Sequence, residues 1–274
     1  MPSVLIISSF VAASRVGGGA QMLALGRLGI EAILVPTVLF GRHPGWGPPG
    51  GAAVEAQTMQ DMLGAIEAQG LFASLDAVIV GHFSTPQQVS VAARALDAVR
   101  AASPQAGLVV DPIMGDEGPG LYIQEAVADA IVAELLPRAD LITPNAWELS
   151  RLSGCEITDA ASAAFAARIV RKPTLVSSVQ AGEAIGVVYA DAAGAVLASH
   201  PRSETVPQGT GDLLTALFAG ALALDLDPTA ALIGATSGVA EAAAAAEGRA
   251  ELAVFSFPSV LGVSPMVKVE VLGD

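Results

Sequence analysis

Short β-branched runs alternate with longer amphipathic or alanine-rich stretches along most of the chain. "VLIIS" (Val4–Ser8) has the unbroken apolar character of a strand covered on both faces, and "GGAQMLALGRLG" reads as a helix ending at Gly29. "EAILVP" is strand-like and is expected to stop at Pro36. The Gly- and Pro-rich segment Thr37–Gly51 excludes a long helix, and a helix from about Ala53 to Gln69 follows it. "DAVIVG" (Asp76–Gly81) is a buried strand, "TPQQVSVAARALDAVRAA" a helix with Pro at its start, and "GLVVDP" (Gly107–Pro112) a strand that breaks into a loop. "QEAVADAIVAELLPRAD" is helical as far as Pro137, and "LITPN" is a short strand leading into a capped turn. "AWELSRLSG" is a helix stopping at Gly154, and "TDAASAAFAARIVRK" is a helix with Thr158 as its expected N-cap. Three strands in succession ("TLVSSV", "AIGVVYA", "AVLASH") precede two Ala-rich helices starting near Thr210 and Pro228. In the tail, only "MVKVEV" has a strand pattern.

Strand–helix alternation over this length implies βαβ units, hence a mostly parallel sheet with helices on both faces, and the late strand cluster implies an antiparallel edge. The expected architecture is a three-layer α/β/α fold. With no linker, no internal repeat and 274 residues, the expectation is one domain spanning residues 1–274.

Charge narrows the partners. Lys+Arg number 13 against 27 Asp+Glu, a formal net charge of −14, which argues against nucleic acid and anionic membrane. A phosphate ligand would need local positive potential from backbone amides or a bound cation. The single cysteine, Cys155, excludes an internal disulfide and fits a reducing, cytoplasmic setting. The first residues lack the basic start and apolar length of a signal peptide.

Ligands of open parallel sheets bind beyond the carboxyl ends of the strands. The polar residues there are Ser8 and Ser9, the Thr37–Trp46 loop, His82, Asp111–Glu117, Thr143–Glu148, Ser177 and Ser178, and the segment "PQGTGDLLTALFAG". In that last segment Gly209 and Gly211 lead into a helix, where unpaired amides and the helix dipole favour an anion. Asp212 stands beside them, and a carboxylate there can accept the proton of an alcohol attacking phosphorus. Capping alone also favours Gly, Thr and Asp at a helix start. The segment is no Walker loop, because no Gly-Lys-Ser/Thr occurs in it, and the glycine spacing in "RVGGGAQ" does not match a dinucleotide fingerprint.

"GTGDLLTALFAG" resembles the anion-hole and catalytic-base motif of the ribokinase-like superfamily. Three more segments resemble the pyridoxal kinases: Ser14–Gly47, "DPIMGDEGPGLY" (Asp111–Tyr122) and "LLPRADLITPNAWELSRLSG" (Leu135–Gly154). The four occur in the family's order, and the resemblance runs from about Val4 to Ala246. It implies a ribokinase-like fold and transfer of the γ-phosphoryl group of ATP to the 5′-hydroxymethyl group of pyridoxal, pyridoxine or pyridoxamine, the salvage route to pyridoxal 5′-phosphate. By resemblance, Asp212 is the base and Gly209, Thr210 and Gly211 the anion hole. Asp111, Asp116 and Glu148 match acidic positions around Mg2+. Asp111, Thr143, Asn145 and Ser177 match positions near the nucleotide's phosphates. Ser9 matches a serine that bonds the pyridine ring, Val16, Val38 and Phe40 its apolar walls, and His43 and His82 positions near it. A homodimer and a monovalent cation such as K+ are further implications of the resemblance.

Departures cluster on the substrate side. Phe10 stands where a histidine often follows the serine, Leu39 replaces a glutamine, Gly41-Arg42 replaces Ser-Asn, Pro44 a threonine, Trp46 a tyrosine, Gly18 an asparagine and Gln208 a valine. Leu121 occupies the neighbourhood where some relatives carry a lid cysteine, so no thiol adduct with the aldehyde is expected. Two alternatives stay open: a hydroxymethylpyrimidine kinase, and a catalytically idle B6-binding protein.

Overall fold

The computed structural model describes residues 1–203, 205–252 and 262–273. In chain order the elements are β1 (Ser3–Val11), α1 (Gly17–Arg27), β2 (Glu31–Phe40), β3 (Gly51–Ala53), α2 (Ala56–Ala68), β4 (Ala77–Val80), α3 (Pro86–Ala102) and β5 (Gly107–Val110). There follow β6 (Gly115–Asp116), β7 (Gly120–Leu121), α4 (Glu125–Ala130), β8 (Leu141–Ile142), α5 (Ala146–Ser153), α6 (Ala160–Val170), β9 (Thr174–Ala181), β10 (Ala184–Asp191) and β11 (Gly194–Pro201). The chain closes with α7 (Thr210–Ala223), α8 (Pro228–Ala245) and β12 (Lys268–Leu272).

Ten strands form one sheet in the order β12-β11-β10-β9-β8-β5-β4-β1-β2-β3. Pairing is parallel from β2 through β1, β4, β5 and β8 to β9. It is antiparallel at both margins, β3 on β2 and β10–β12 beyond β9. Burial explains the apolar reading of β1. Val4 and Ile6 enter a core with α1, α7 and α8, whereas Leu5 and Ile7 enter a second core with α2, α3 and α4. Successive side chains point to opposite faces, so a strand covered on both sides needs no polar position. A third, smaller core packs α5 and α6 on β9–β11. The mixed sheet with helical layers on both faces is the three-layer ribokinase-like arrangement expected from the sequence, with its antiparallel edge where the late strand cluster falls.

Local chemistry displaces several expected boundaries. β2 continues through Pro36 to Phe40. It pairs with β1 along its length but meets β3 only at Val38–Phe40, so Pro36 needs no N–H on the outer side. The helix read as running to Pro137 is α-helical only to Ala130, then widens to a π turn at Ile131–Leu135 and tightens to a 3-10 turn at Leu136–Arg138. Pro137 cannot donate into an α-helical ladder, and the hydrogen-bond register shifts ahead of it. The cap of α6 is Asp159 rather than Thr158: its carboxylate accepts from the Ser162 amide, and Ser162 answers at the Asp159 N–H. The hairpin β6–β7 and the short β3 were not legible. Of the tail, residues 255–261 lie outside the described residues, and the strand read in "MVKVEV" is β12.

Candidate active site

Two helices begin at one spot without side-chain caps. Val16 precedes α1 and Gly209 precedes α7, and neither residue has a side-chain acceptor to cap its own helix. Glu55 and Gln124 likewise leave α2 and α4 without a side-chain cap, whereas Thr85, Asn145, Asp159 and Asp227 cap α3, α5, α6 and α8. Uncapped amides of two helices therefore converge, and this supplies positive potential in a strongly acidic chain.

Glycines let the two starts touch. Gly17 has φ +57°, and a Cβ there would lie 2.0 Å from Ser9 Oγ and 2.7 Å from the Ser9 carbonyl oxygen. Gly209 has φ +90°, and a Cβ would lie 2.2 Å from the Arg15 carbonyl oxygen. Gly211 differs: its Cβ position meets no atom within 4 Å, so internal packing does not demand glycine there. Thr210 is half-buried and Gly211 exposed, at the open end of α7.

Asp212 sits between the two starts. Its Oδ2 accepts from the Gly17 N–H at 2.7 Å, and its Oδ1 is buried without a partner. Burial pushes the carboxyl up to about 6, and the Gly17 amide opposes that rise. Near neutrality such a group is mostly ionised yet still basic enough to take a proton.

The other acids follow neighbouring strands. Asp111, at the end of β5, is buried, and its Oδ2 accepts from Thr215 Oγ1 at 2.9 Å, with Thr143 Oγ1 3.0 Å from the same hydroxyl. Burial raises its pKa well above the carboxylate range, and the charges of Glu148 and Asp212 add to that rise. Glu148 forms a capping box with Asn145, and its oxygens accept from the amides of Met114 (2.6 Å), Gly115 (3.4 Å) and Asn145 (2.9 Å). Burial pushes it up to about 7 against those amides. Asn145 also donates Nδ2–H to the Gly115 carbonyl at 2.8 Å, which ties α5 to the β6–β7 hairpin. Ser177 donates its amide to Pro144 and lies in a bridge with Asn145. Asp116 is exposed, its Oδ1 accepting from the Glu117 amide at 2.8 Å.

Two non-glycine residues hold left-handed backbone after adjacent strands, His82 (φ +33°) after β4 and Ile113 (φ +42°) after β5. Such strain concentrates at functional sites. His82 is half-buried, burial lowers its pKa, and its Nδ1 is buried without a partner. Its carbonyl accepts from Thr37 Oγ1 at 2.7 Å, linking it to β2. Val16 and Val38 are buried but belong to none of the three cores, and Phe40 is half-buried. His43 caps the short turn Pro44–Trp46, its Nδ1 accepting from the Gly45 amide, with Trp46 at a ring distance of 5.6 Å.

The structure thus brings Ser9, Val16, Gly209–Asp212 and, through Thr215, Asp111 and Thr143 together, with Glu148, Asn145 and Ser177 on the neighbouring strand ends. It holds His43 on the loop after β2. Sequence reading gave no role to three residues, of which Ser8 alone had been noted as polar beyond a strand end. Ser8 Oγ is buried without a partner, though the position stood out as polar after an apolar strand. Thr215, one helical turn after Asp212 on a helix otherwise apolar, joins Asp111 to Thr143. Tyr122 is exposed, and its hydroxyl is held above its ordinary pKa by partial burial and by the charges of Glu148, Asp111, Asp212 and Asp116.

Sheet order, clustered carboxylates at the strand ends and an uncapped glycine-led helix define a phosphotransferase of the ribokinase-like fold. A family profile described as phosphomethylpyrimidine kinase matches residues 52–252. The pyridoxal kinase PdxY of Deinococcus radiodurans is 34% identical over 232 residues, covering 80% of this chain and 78% of that protein. The crystal structure of pyridoxal kinase from Entamoeba histolytica superposes with a TM-score of 0.91 at 26% identity, covering 99% of this chain and 100% of that one. Pyridoxal kinase from Leishmania donovani in complex with ADP and pyridoxamine superposes at 0.88 with 26% identity and full coverage of both chains. The chain belongs to the pyridoxal kinase family of ATP-dependent kinases.

Proposed function

We propose that this chain moves the γ-phosphoryl group of ATP to the 5′-hydroxymethyl group of pyridoxal, and of pyridoxine or pyridoxamine, with Asp212 as the base. One observation carries the assignment: Asp212 has one oxygen fixed by Gly17 and the other buried and unpartnered, between two uncapped helix starts. A fixed carboxylate with one free oxygen suits proton removal from an alcohol, while the amides of Gly209, Thr210 and Gly211 offset charge on the transferring group.

Asp111, Glu148 and Asp116 supply oxygen donors only, and burial raises the pKa values of the two buried ones. This donor set suits Mg2+. Asp111, Glu148 and Asp116 would hold Mg2+ there, and it would offset charge on the phosphates. Thr143, Asn145 and Ser177 line the phosphate side in this reading. Ser9, His43 and His82 offer polar anchors to a pyridine ring, and Val16, Val38 and Phe40 its apolar walls. A monovalent cation such as K+, a homodimer, one kinase domain over residues 1–274 and a cytoplasmic setting complete the proposal. Among the described residues no helix is long and apolar enough to cross a membrane.

A second reading, a hydroxymethylpyrimidine kinase, is favoured by the matching family profile and by the apolar Phe10 and Leu39 on the substrate side. Supplying pyridoxal and hydroxymethylpyrimidine at equal concentration with Mg·ATP, and following both phosphorylated products, separates the two. Preferred phosphorylation of pyridoxal is expected. Preferred phosphorylation of the pyrimidine would replace the first reading by the second, and ligand-induced thermal stabilisation without ADP release would replace both by an idle binding protein.

A further inference from the structure

The turn that carries Gly17 is held from the far end of the chain. Ala12 and Ala13 donate their amides to Phe40 and Gly41, which fixes the entry to the turn against β2. Its middle is held by one carboxylate: Glu251 Oε1 accepts from Ser14 Oγ at 2.9 Å, and Oε2 accepts from the Arg15 N–H at 2.8 Å. The Arg15 carbonyl then packs on Gly209, and two residues later the Gly17 N–H reaches Asp212. Glu251 is also fixed from the α7 side, through its bridge with Gln208, whose amide donates to the Ala250 carbonyl at 3.3 Å. Residue 251 therefore grips the turn ahead of α1 with its side chain, while its backbone bridges to the residue just before Gly209.

We infer that Glu251 is a positioning residue for phosphoryl transfer: by gripping Ser14 and Arg15 it sets the Gly17 amide on Asp212, fixing one carboxylate oxygen and leaving the other free. Hydrogen bonds to an ionised carboxylate are stronger than neutral ones, and two of them on adjacent residues define the turn's rotation as well as its distance. Without the grip, Gly17 can drift from Asp212, and small misplacements at a reacting centre lower turnover far more than binding. The inference rests on the reading of Asp212 as base.

The test is steady-state kinetics of the full chain with Mg·ATP and pyridoxal, at a temperature where circular dichroism shows each variant folded. Glu251→Ala is expected to lower kcat about tenfold or more, with KM for both substrates within about twofold of wild type. Glu251→Gln, which keeps one acceptor oxygen, is expected to recover part of that loss. Ser14→Ala, which removes one of the two bonds, is expected to show a smaller loss of the same kind. On an Asp212→Asn background the Glu251→Ala change is expected to add no further loss, because both act on one interaction. Wild-type kcat in Glu251→Ala, an effect on KM alone, or losses that multiply in the double variant would each overturn the inference. If Glu251→Ala does not fold, Glu251→Gln and Ser14→Ala decide by the same double-variant comparison. Wild-type turnover in Asp212→Asn alone would instead remove the base assignment, a separate failure.

Discussion

The Gly17 N–H donates to Asp212 Oδ2 at 2.7 Å, across 195 residues of sequence. The bond holds a partly buried carboxylate whose second oxygen has no partner, and it can form only because residue 17 lacks a Cβ.

Asp212→Asn keeps an oxygen for Gly17 but cannot take a proton. Turnover with pyridoxal is expected to fall roughly 10²–10⁴-fold while ATP still binds. Coupled ADP release and nucleotide titration calorimetry check the two halves. Wild-type turnover would take Asp212 out of the mechanism.

The same substitution is expected to raise the stability of the ligand-free protein. Burial holds Asp212 near 6 and Glu148 near 7, above the ordinary carboxylate range. The folded state therefore binds these protons more tightly than the unfolded state, so their contribution to stability declines as pH rises from about 4 to about 7. Thermal melting at pH 8 should show Asp212→Asn more stable by about 1–2 kcal/mol, with the gain shrinking toward pH 4. A gain independent of pH would contradict the ionisation argument.

Activity should titrate in the opposite sense. The base works ionised, so kcat/KM is expected to fall as pH drops through about 6, the value burial gives Asp212. An acid limb centred near 4 would mean a solvated carboxylate in the working enzyme.

Two glycines two positions apart in one motif should fail differently. Gly209→Ala forces a side chain into left-handed backbone and onto the Arg15 carbonyl, so it is expected to lower stability by at least about 1–2 kcal/mol. Gly211→Ala meets no protein atom and should melt as wild type, yet lose about 10–100-fold in kcat where a phosphoryl group must approach the amides. Equal melting loss for both would undo the distinction.

Thr215→Val removes the hydroxyl that bonds Asp111 and lies against Thr143. A buried carboxylate losing a donor is expected to make the fold less stable by about 1–3 kcal/mol and to raise the Mg2+ concentration needed for half-maximal rate. Chemical denaturation and a Mg2+ titration of initial rate measure both. An unchanged Mg2+ requirement would confine Thr215 to a structural role.

Much of this architecture was written in local pattern. The alternation of Val4, Leu5, Ile6 and Ile7 between two cores is a property of an unbroken apolar run, and caps such as Asn145 with Glu148 announce their helices within four residues. Boundaries failed where a partner decides them. Nothing near Pro36 says that the outer side of β2 stays unpaired there, and β6 and β7 are too short for any periodicity to register. The glycine-led start of α7 was legible because glycine, threonine and aspartate at a helix mouth have a chemical meaning of their own. Ser14, Arg15 and Glu251 were not, since the carboxylate lies 236 residues from the amide it holds.

Because α1 packs on α7, and the bond to Asp212 spans most of the polypeptide, the reacting centre is among the last parts to be completed as the protein is made. A nascent chain emerging from the ribosome has its first strand and helix long before the carboxylate that they help to hold. A product that ends before Asp212 cannot then consume ATP unproductively, and appearance of turnover during refolding reports that α1 and α7 have met.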